Sequence, residues 1–168
     1  MKAIFQFKSL ILAAFVMMSV GATAQSDGKA YTAENEGWLV NIDEAYKQSQ
    51  ETGKPILANF TGSDWCGWCK RLTASVFGKE DFKKWAGENV ILLELDFPKR
   101  TQLPADIAAQ NRNLQQAFKV RGYPTIWVFD LAKDESGEYS ISALGKTGYR
   151  KTVSEFTTDV DRMIANRS

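Results

Sequence analysis

Three short apolar runs set the tightest limit on the fold, because they are bounded by turn signals and separated from one another by helix-forming chain. They are residues 55–61 (PILANFT), 90–96 (VILLELD) and 125–129 (TIWVF). Runs of this length, rich in β-branched and aromatic residues, read as strands buried in a sheet. The intervening segments read as helices. Residues 43–50 follow a polar cap and stop at Gly53, a residue suited to closing a helix. Residues 66–77 end near Gly78, and 80–87 form a second short helix. Residues 104–118 place Ile107, Leu114 and Phe118 on one face. A turn at 133–137 leads into 138–144, which predicts a hairpin. Thr152 and Glu155 make a capping box, and Val153, Phe156, Val160, Met163 and Ile164 form the apolar stripe of a last helix. Strands separated by helices imply parallel pairing by crossovers, and the adjacent final pair implies an antiparallel hairpin. The expected class is α/β: a mixed central sheet, parallel strands plus a C-terminal antiparallel hairpin, with helices on both faces. Trp38, Trp85 and Trp127 are expected in the core, with residues 38–40 a short strand or first contact with it.

The N-terminus stands apart. Lys2 and Lys8 accompany an apolar run at 10–20 (LILAAFVMMSV), followed by Ala22-Thr23-Ala24. This is the layout of a secretory signal peptide, 1–24, cleaved after Ala24. The run is shorter than the about 20 residues that a membrane span needs. Residues 25–37 are polar and contain glycine, which predicts a flexible arm, and 38–168 make one domain. The location expected is periplasmic or secreted, with no stable membrane insertion after cleavage. The formal net charge is +1, from 21 basic and 20 acidic residues, with no evident basic face. Nucleic-acid binding therefore finds little support.

The chain has no histidine and two cysteines. Ser–His and Cys–His catalysis are excluded, and the commonest zinc or copper ligand is missing. The cysteines stand in the stretch GSDWCGWCKR, at Cys66 and Cys69. As a structural staple, a ring this small restricts the unfolded chain by only roughly 2 kcal/mol. As a metal site, the pair lacks two further thiol or imidazole ligands, and Asp64 or Glu94 would make an uncommon set. The redox reading fits best. The strand delivers Cys66 to the start of a helix, where unpaired backbone N–H groups and the dipole lower a thiol's pKa from about 8.5. Cys69 lies one turn on, within reach of the Cys66 sulfur. Cys66 is then the exposed nucleophile and Cys69 the buried thiol that resolves the mixed disulfide. No cofactor and no metal are required.

The strand ILANF, the motif Trp65-Cys66-Gly67-Trp68-Cys69-Lys70 and the segment Gly122-Tyr123-Pro124-Thr125 before IWVF together resemble the thioredoxin superfamily. GSDWCGWCKRL, LDFP and VRGYPTI narrow the likeness to secreted bacterial thioredoxin-like proteins, akin to the C-terminal domain of the membrane thiol-reductant transporter. The resemblance implies a thioredoxin fold and a cis bond before Pro124. It also implies that Pro124 faces the cysteine pair and that the Tyr123 backbone pairs with a bound substrate strand. Trp65, Gly67, Trp68, Tyr123 and Pro124 are the implied substrate surface, with Trp65 and Trp68 on an exposed rim.

Two departures bear on mechanism. Thioredoxins carry a buried aspartate on the strand before the motif, and the matching position here is Asn59, which cannot accept a proton. Water, Glu94 or Asp64 is left to activate Cys69, with Lys70 another neighbour. Trp68 replaces the histidine that stabilises a thiolate in strong oxidants of the superfamily, which favours a reductant. The insert at 97–113 lengthens the connection before Pro124 and either covers the site or is inert elaboration. The function expected is exchange of the Cys66–Cys69 dithiol with protein disulfides or thiols, with a membrane thiol-reductant transporter as one candidate partner. Two rivals stand beside it: a non-catalytic peptide-binding module, and a dedicated redox partner in one maturation pathway.

Overall fold

A computed structural model describes residues 31–167. The signal peptide expected at 1–24, its cleavage after Ala24 and the first part of the arm fall outside the described residues. In chain order the elements are α1 (Ile42–Thr52), β1 (Ile56–Thr61), α2 (Gly67–Leu72), a π-helical turn (Thr73–Phe77), α3 (Glu80–Asn89), β2 (Ile91–Asp96), α4 (Ala105–Ala117), β3 (Thr125–Lys133), β4 (Tyr139–Thr147) and α5 (Val153–Ala165). No helix among the described residues is long and apolar enough to cross a membrane.

Local chemistry places the helices. Asn41 caps α1 by accepting hydrogen bonds from the Asp43 and Glu44 amides, and Gly53 closes it at φ 71°. Thr152 and Glu155 make the reciprocal capping box that opens α5. The helix expected over 66–77 changes character midway. The Gly78 amide donates to the Thr73 carbonyl five residues back, at 2.8 Å. That wider turn sets Val76 and Phe77 in the core beside Leu72.

The four strands described lie in the order β2-β1-β3-β4. β1 runs parallel to β2, pairing Ile56 with Ile91 and Thr61 with Asp96. β3 runs antiparallel to β1, and β4 antiparallel to β3. The sheet is mixed and carries the expected hairpin, but the β2-to-β3 connection does not restore a parallel strand. Residues 97–104 before α4 and 118–124 after it give enough chain to return to the edge where β2 ended.

β1 is buried along its whole length. Its alternate residues feed two cores. Ile56, Ala58 and Phe60 join Ile42, Ala45, Leu93, Leu95, Phe118 and Phe129 on the α1 and α4 face. Leu57 joins Trp38, Leu72, Phe82, Ile126, Phe156 and Val160 on the α2, α3 and α5 face. Trp38 is buried as expected, whereas Trp85 and Trp127 are half-buried and pack at the margins of these cores. Beyond Leu57 the residues on the second face turn polar: Asn59 and Thr61 on β1, with Glu94 and Asp96 beside them on β2. All four are buried.

The described part of the arm is anchored, against the expectation of a loose segment through residue 37. Asn35 is buried and bonded to Glu94. Just beyond the arm, the Leu39 amide donates to the Leu92 carbonyl and the Glu94 amide donates to the Leu39 carbonyl, so the chain at residue 39 covers the edge of β2 as a single parallel bridge.

Candidate active site: a dithiol at the sheet edge

The register brings the carboxyl ends of β1 and β2 and the amino end of β3 to one edge. Three segments leave or enter there: the motif loop after Thr61, the loop after Asp96, and Pro124. The Tyr123–Pro124 bond is cis.

Cys66 and Cys69 are joined as a disulfide, their Cα atoms 5.3 Å apart. Cys66 is the N-cap of α2, and its sulfur accepts from the Cys69 amide at 3.2 Å. Its own amide donates to the Gly62 carbonyl at 2.8 Å. The expected contrast in exposure is absent, since Cys66 is 6% exposed and Cys69 4%. Position in the helix and not accessibility therefore separates the two cysteines in the disulfide form, Cys66 at the N-cap of α2 and Cys69 within its first turn.

The tryptophan rim takes the expected exposed position. The Trp65 indole N–H donates to the Phe97 carbonyl at 2.8 Å, and the ring meets Tyr123 edge-on at 5.8 Å. Lys99 Nζ lies 4.0 Å from the Trp65 ring centre. Trp65 also packs on Gly62, where a Cβ would fall 2.6 Å from the indole. Trp68 packs against Tyr149 at 5.0 Å, with the Arg71 guanidinium 4.6 Å from its ring centre. Gly67, the first residue of α2, has open space at its Cβ position.

The first residues of the 97–113 insert are tied to the motif. The Lys99 amide donates to both Asp64 oxygens, at 3.0 and 3.1 Å, and the Arg100 amide donates at 2.6 Å. These bonds, the Lys99 amide foremost, hold the Asp64 carboxyl below its ordinary value of 3.8. Asp64 is thus committed to the loop. Lys70 Nζ donates to the Asp64 carbonyl at 3.2 Å. Phe97 stacks on Tyr123 at 5.3 Å, and the Tyr123 hydroxyl accepts from Gln115 at 2.6 Å. Burial, with Asp96 nearby, raises the pKa of Tyr123. Asp96 is occupied as well: the Ser63 amide and hydroxyl donate to it at 2.8 and 2.5 Å.

Beneath α2 the polar ladder divides. Asn59 is buried and its Oδ1 has no hydrogen-bond partner among the described residues. Glu94 lies directly across the register from Asn59. Its carboxylate accepts from the Glu34 amide at 2.7 Å, the Asn35 amide at 3.2 Å and Asn35 Nδ2 at 2.5 Å. Burial nevertheless raises the Glu94 pKa above its usual 4.5. Among the described residues no cluster of three His, Cys, Asp or Glu side chains could hold a metal ion.

The sequence brought Cys66, Cys69, Trp65, Trp68, Tyr123 and Pro124 into view, and the fold gathers all of them at or around one edge. It did not bring in Gly62, Phe97, Lys99 and Tyr149 beside the tryptophans, or Asn35 against Glu94. Gly62 and Phe97 lie within GSDWCGWCKR and LDFP, but nothing in those stretches marks these contacts, and Asn35 lies 59 residues from its partner.

Residues 42–140 match the family described as a thioredoxin-like domain. The chain belongs to that family. It is 36% identical over 106 residues to the disulfide bond reductase DsbH of Chlamydia pneumoniae, across 63% of this chain and 64% of that protein. It is 29% identical over 120 residues to the thiol:disulfide interchange protein DsbD of Ralstonia nicotianae, across 71% of this chain and 18% of that one. The chain therefore spans less than two thirds of the length of these curated relatives. A solved structure titled DsbH oxidoreductase superposes with a TM-score of 0.65 at 27% identity, covering 86% of this chain and 97% of the other.

Proposed function

We propose that the chain is an exported thiol–disulfide oxidoreductase that works in the reducing direction on protein disulfides. The observation that carries this is the Cys66–Cys69 disulfide at the first turn of α2, on the sheet edge that also holds cis-Pro124 and the exposed tryptophans. In the reduced state the Cys66 thiolate attacks one sulfur of a substrate disulfide. The substrate S–S bond breaks, one substrate sulfur leaves as a thiolate that takes a proton, and a mixed disulfide forms. Cys69, deprotonated, then attacks the Cys66 sulfur; the second substrate sulfur leaves with the electron pair and is protonated. Two electrons pass from the dithiol to the substrate, and the disulfide seen here is the product state.

The α2 N-terminus favours thiolate at Cys66. Trp65 and Trp68 give an extended substrate apolar contact, Gly67 leaves the approach to the sulfurs open, and the Tyr123 backbone beside Pro124 is the proposed pairing edge. The reducing direction draws support from the relative named a disulfide bond reductase. The likeness to the thiol:disulfide interchange protein supports a membrane donor of that kind to recharge the dithiol. Export rests on the layout of residues 1–24.

Insulin reduction tests this reading. The wild type is expected to accelerate insulin precipitation by dithiothreitol, and Cys66→Ser to abolish the acceleration. Cys69→Ala is expected to accumulate mixed disulfides. A wild type no faster than dithiothreitol alone would overturn the reading in favour of a binding module.

A further inference from the structure

Cys69 and Glu94 line one cavity of about 170 Å³, together with Glu34, Asn35, Thr61, Ser63, Lys70 and Thr73. The cavity is of a size that admits water, and its lining offers polar partners in Asn35, Thr61, Ser63, Thr73 and Glu94. It joins the buried cysteine to a carboxylate that no other side chain on the sheet neutralises. The other acids nearby are engaged elsewhere. Asp64 holds the Lys99 and Arg100 amides, and Asp96 holds Ser63 while lying outside this cavity. Asn59, beside Glu94 on β1, cannot accept the proton. The donors to Glu94 come from the arm at 34–35, some 59 or 60 residues away in sequence.

We infer that Glu94 accepts the Cys69 proton across this cavity during resolution of the mixed disulfide, and that the docked arm at 34–35 positions it for that step. The inference rests on the dithiol reading above. The Cys69 S–H bond breaks and its proton moves to a Glu94 oxygen, directly or through one water. The resulting thiolate attacks the Cys66 sulfur, the bond from Cys66 to the substrate sulfur breaks, and the electron pair leaves with the substrate. Glu94 returns the proton through the cavity to the departing thiolate or to solvent, so atoms and charge balance.

The charged and titratable groups around Glu94 agree with such a role. Asp96 on the same strand disfavours a second negative charge, Tyr31 on the arm stays a neutral phenol because burial and the acids nearby raise its pKa, and among the described residues Lys70 on α2 is the one cation lining the cavity. A buried carboxyl with raised proton affinity is a stronger base towards a thiol whose own value is about 8.5. The Asn35 and Glu34 donors pull the other way and favour the ionised, proton-accepting form.

Stopped-flow reaction of the reduced full chain with DTNB separates the steps. The first thionitrobenzoate released reports attack by Cys66, and the second reports resolution by Cys69. Glu94→Gln is expected to lower the ratio of second-phase to first-phase rate on the order of 10–100-fold at pH 7. It should also remove a pH inflection lying above 4.5, while Glu94→Asp recovers part of the rate. Asn35→Ala, which deletes one donor to the ionised carboxylate, should move that inflection to higher pH. A second phase with the wild-type rate and pH profile in Glu94→Gln overturns the inference. Should Glu94→Gln not fold, an unmoved inflection in Asn35→Ala overturns it instead. A first phase no faster than free cysteine would instead count against the dithiol reading itself.

Discussion

Trp65 and Trp68 flank the same disulfide and are three residues apart, yet the structure uses them differently. Trp65 is 38% exposed and is fastened on every side: its N–H on the Phe97 carbonyl, its face on Gly62, its edge on Tyr123, Lys99 over the ring. Trp68 is 53% exposed and rests on Tyr149 with Arg71 alongside. The first tryptophan ties the motif loop to the 97–100 loop and to Tyr123, just before cis-Pro124. The second presents an apolar surface to whatever approaches the sulfurs. Two identical side chains in one motif thus divide scaffold from contact, because only the first lies where three segments of the sheet edge converge.

The sharpest way to break that contrast is truncation. Trp65→Ala is expected to cost about 2–3 kcal/mol, below the full range for a buried Trp→Ala because the ring is partly exposed. Trp68→Ala should cost under about 1 kcal/mol while raising KM for a peptide disulfide roughly fivefold. Urea unfolding and steady-state kinetics read the two effects, and equal stability losses would erase the distinction. A smaller perturbation comes from below the ring. Gly62→Ala forces the Trp65 indole to move and should destabilise by about 1–2 kcal/mol, with a shift in tryptophan emission. An unshifted spectrum and unchanged midpoint would mean that Trp65 is not held there.

The smallest effect concerns the clamp beside Trp65. Asp64 is held below its ordinary 3.8 by the Lys99 and Arg100 amides. A depressed folded value means that its contribution is present above the unfolded value and is lost as pH falls through the folded one. Asp64→Asn should therefore speed hydrogen exchange at the Lys99 and Arg100 amides at neutral pH, and the difference from wild type should vanish in acid. Glu94 has the opposite sign. Burial raises its folded value, so the protonated form favours folding, and that share of stability is lost as pH rises above 4.5 through the folded value.

Much of this chain was legible locally. Strand identity followed from short apolar runs, helix ends from Gly53 and the Thr152–Glu155 box, and the dithiol from two cysteines one turn apart. The cis bond at Pro124 followed from resemblance, since no local rule would have required it. These signals work because periodicity, capping and spacing act within a few residues, where sequence and geometry are nearly the same information.

The rest was settled only when distant segments met. β3 runs antiparallel to β1 because the connections around α4 return it to the starting edge, which a helix-length gap alone does not specify. The arm is anchored because Glu94, buried on β2, needs donors, and Asn35 and the Glu34 amide supply them from the far end of the domain. Trp65 is fixed by residues 97–99 across the sheet edge. The arm and Trp65 each depend on desolvating a polar or aromatic group against a partner far away in the chain. The sequence records both partners but not their meeting.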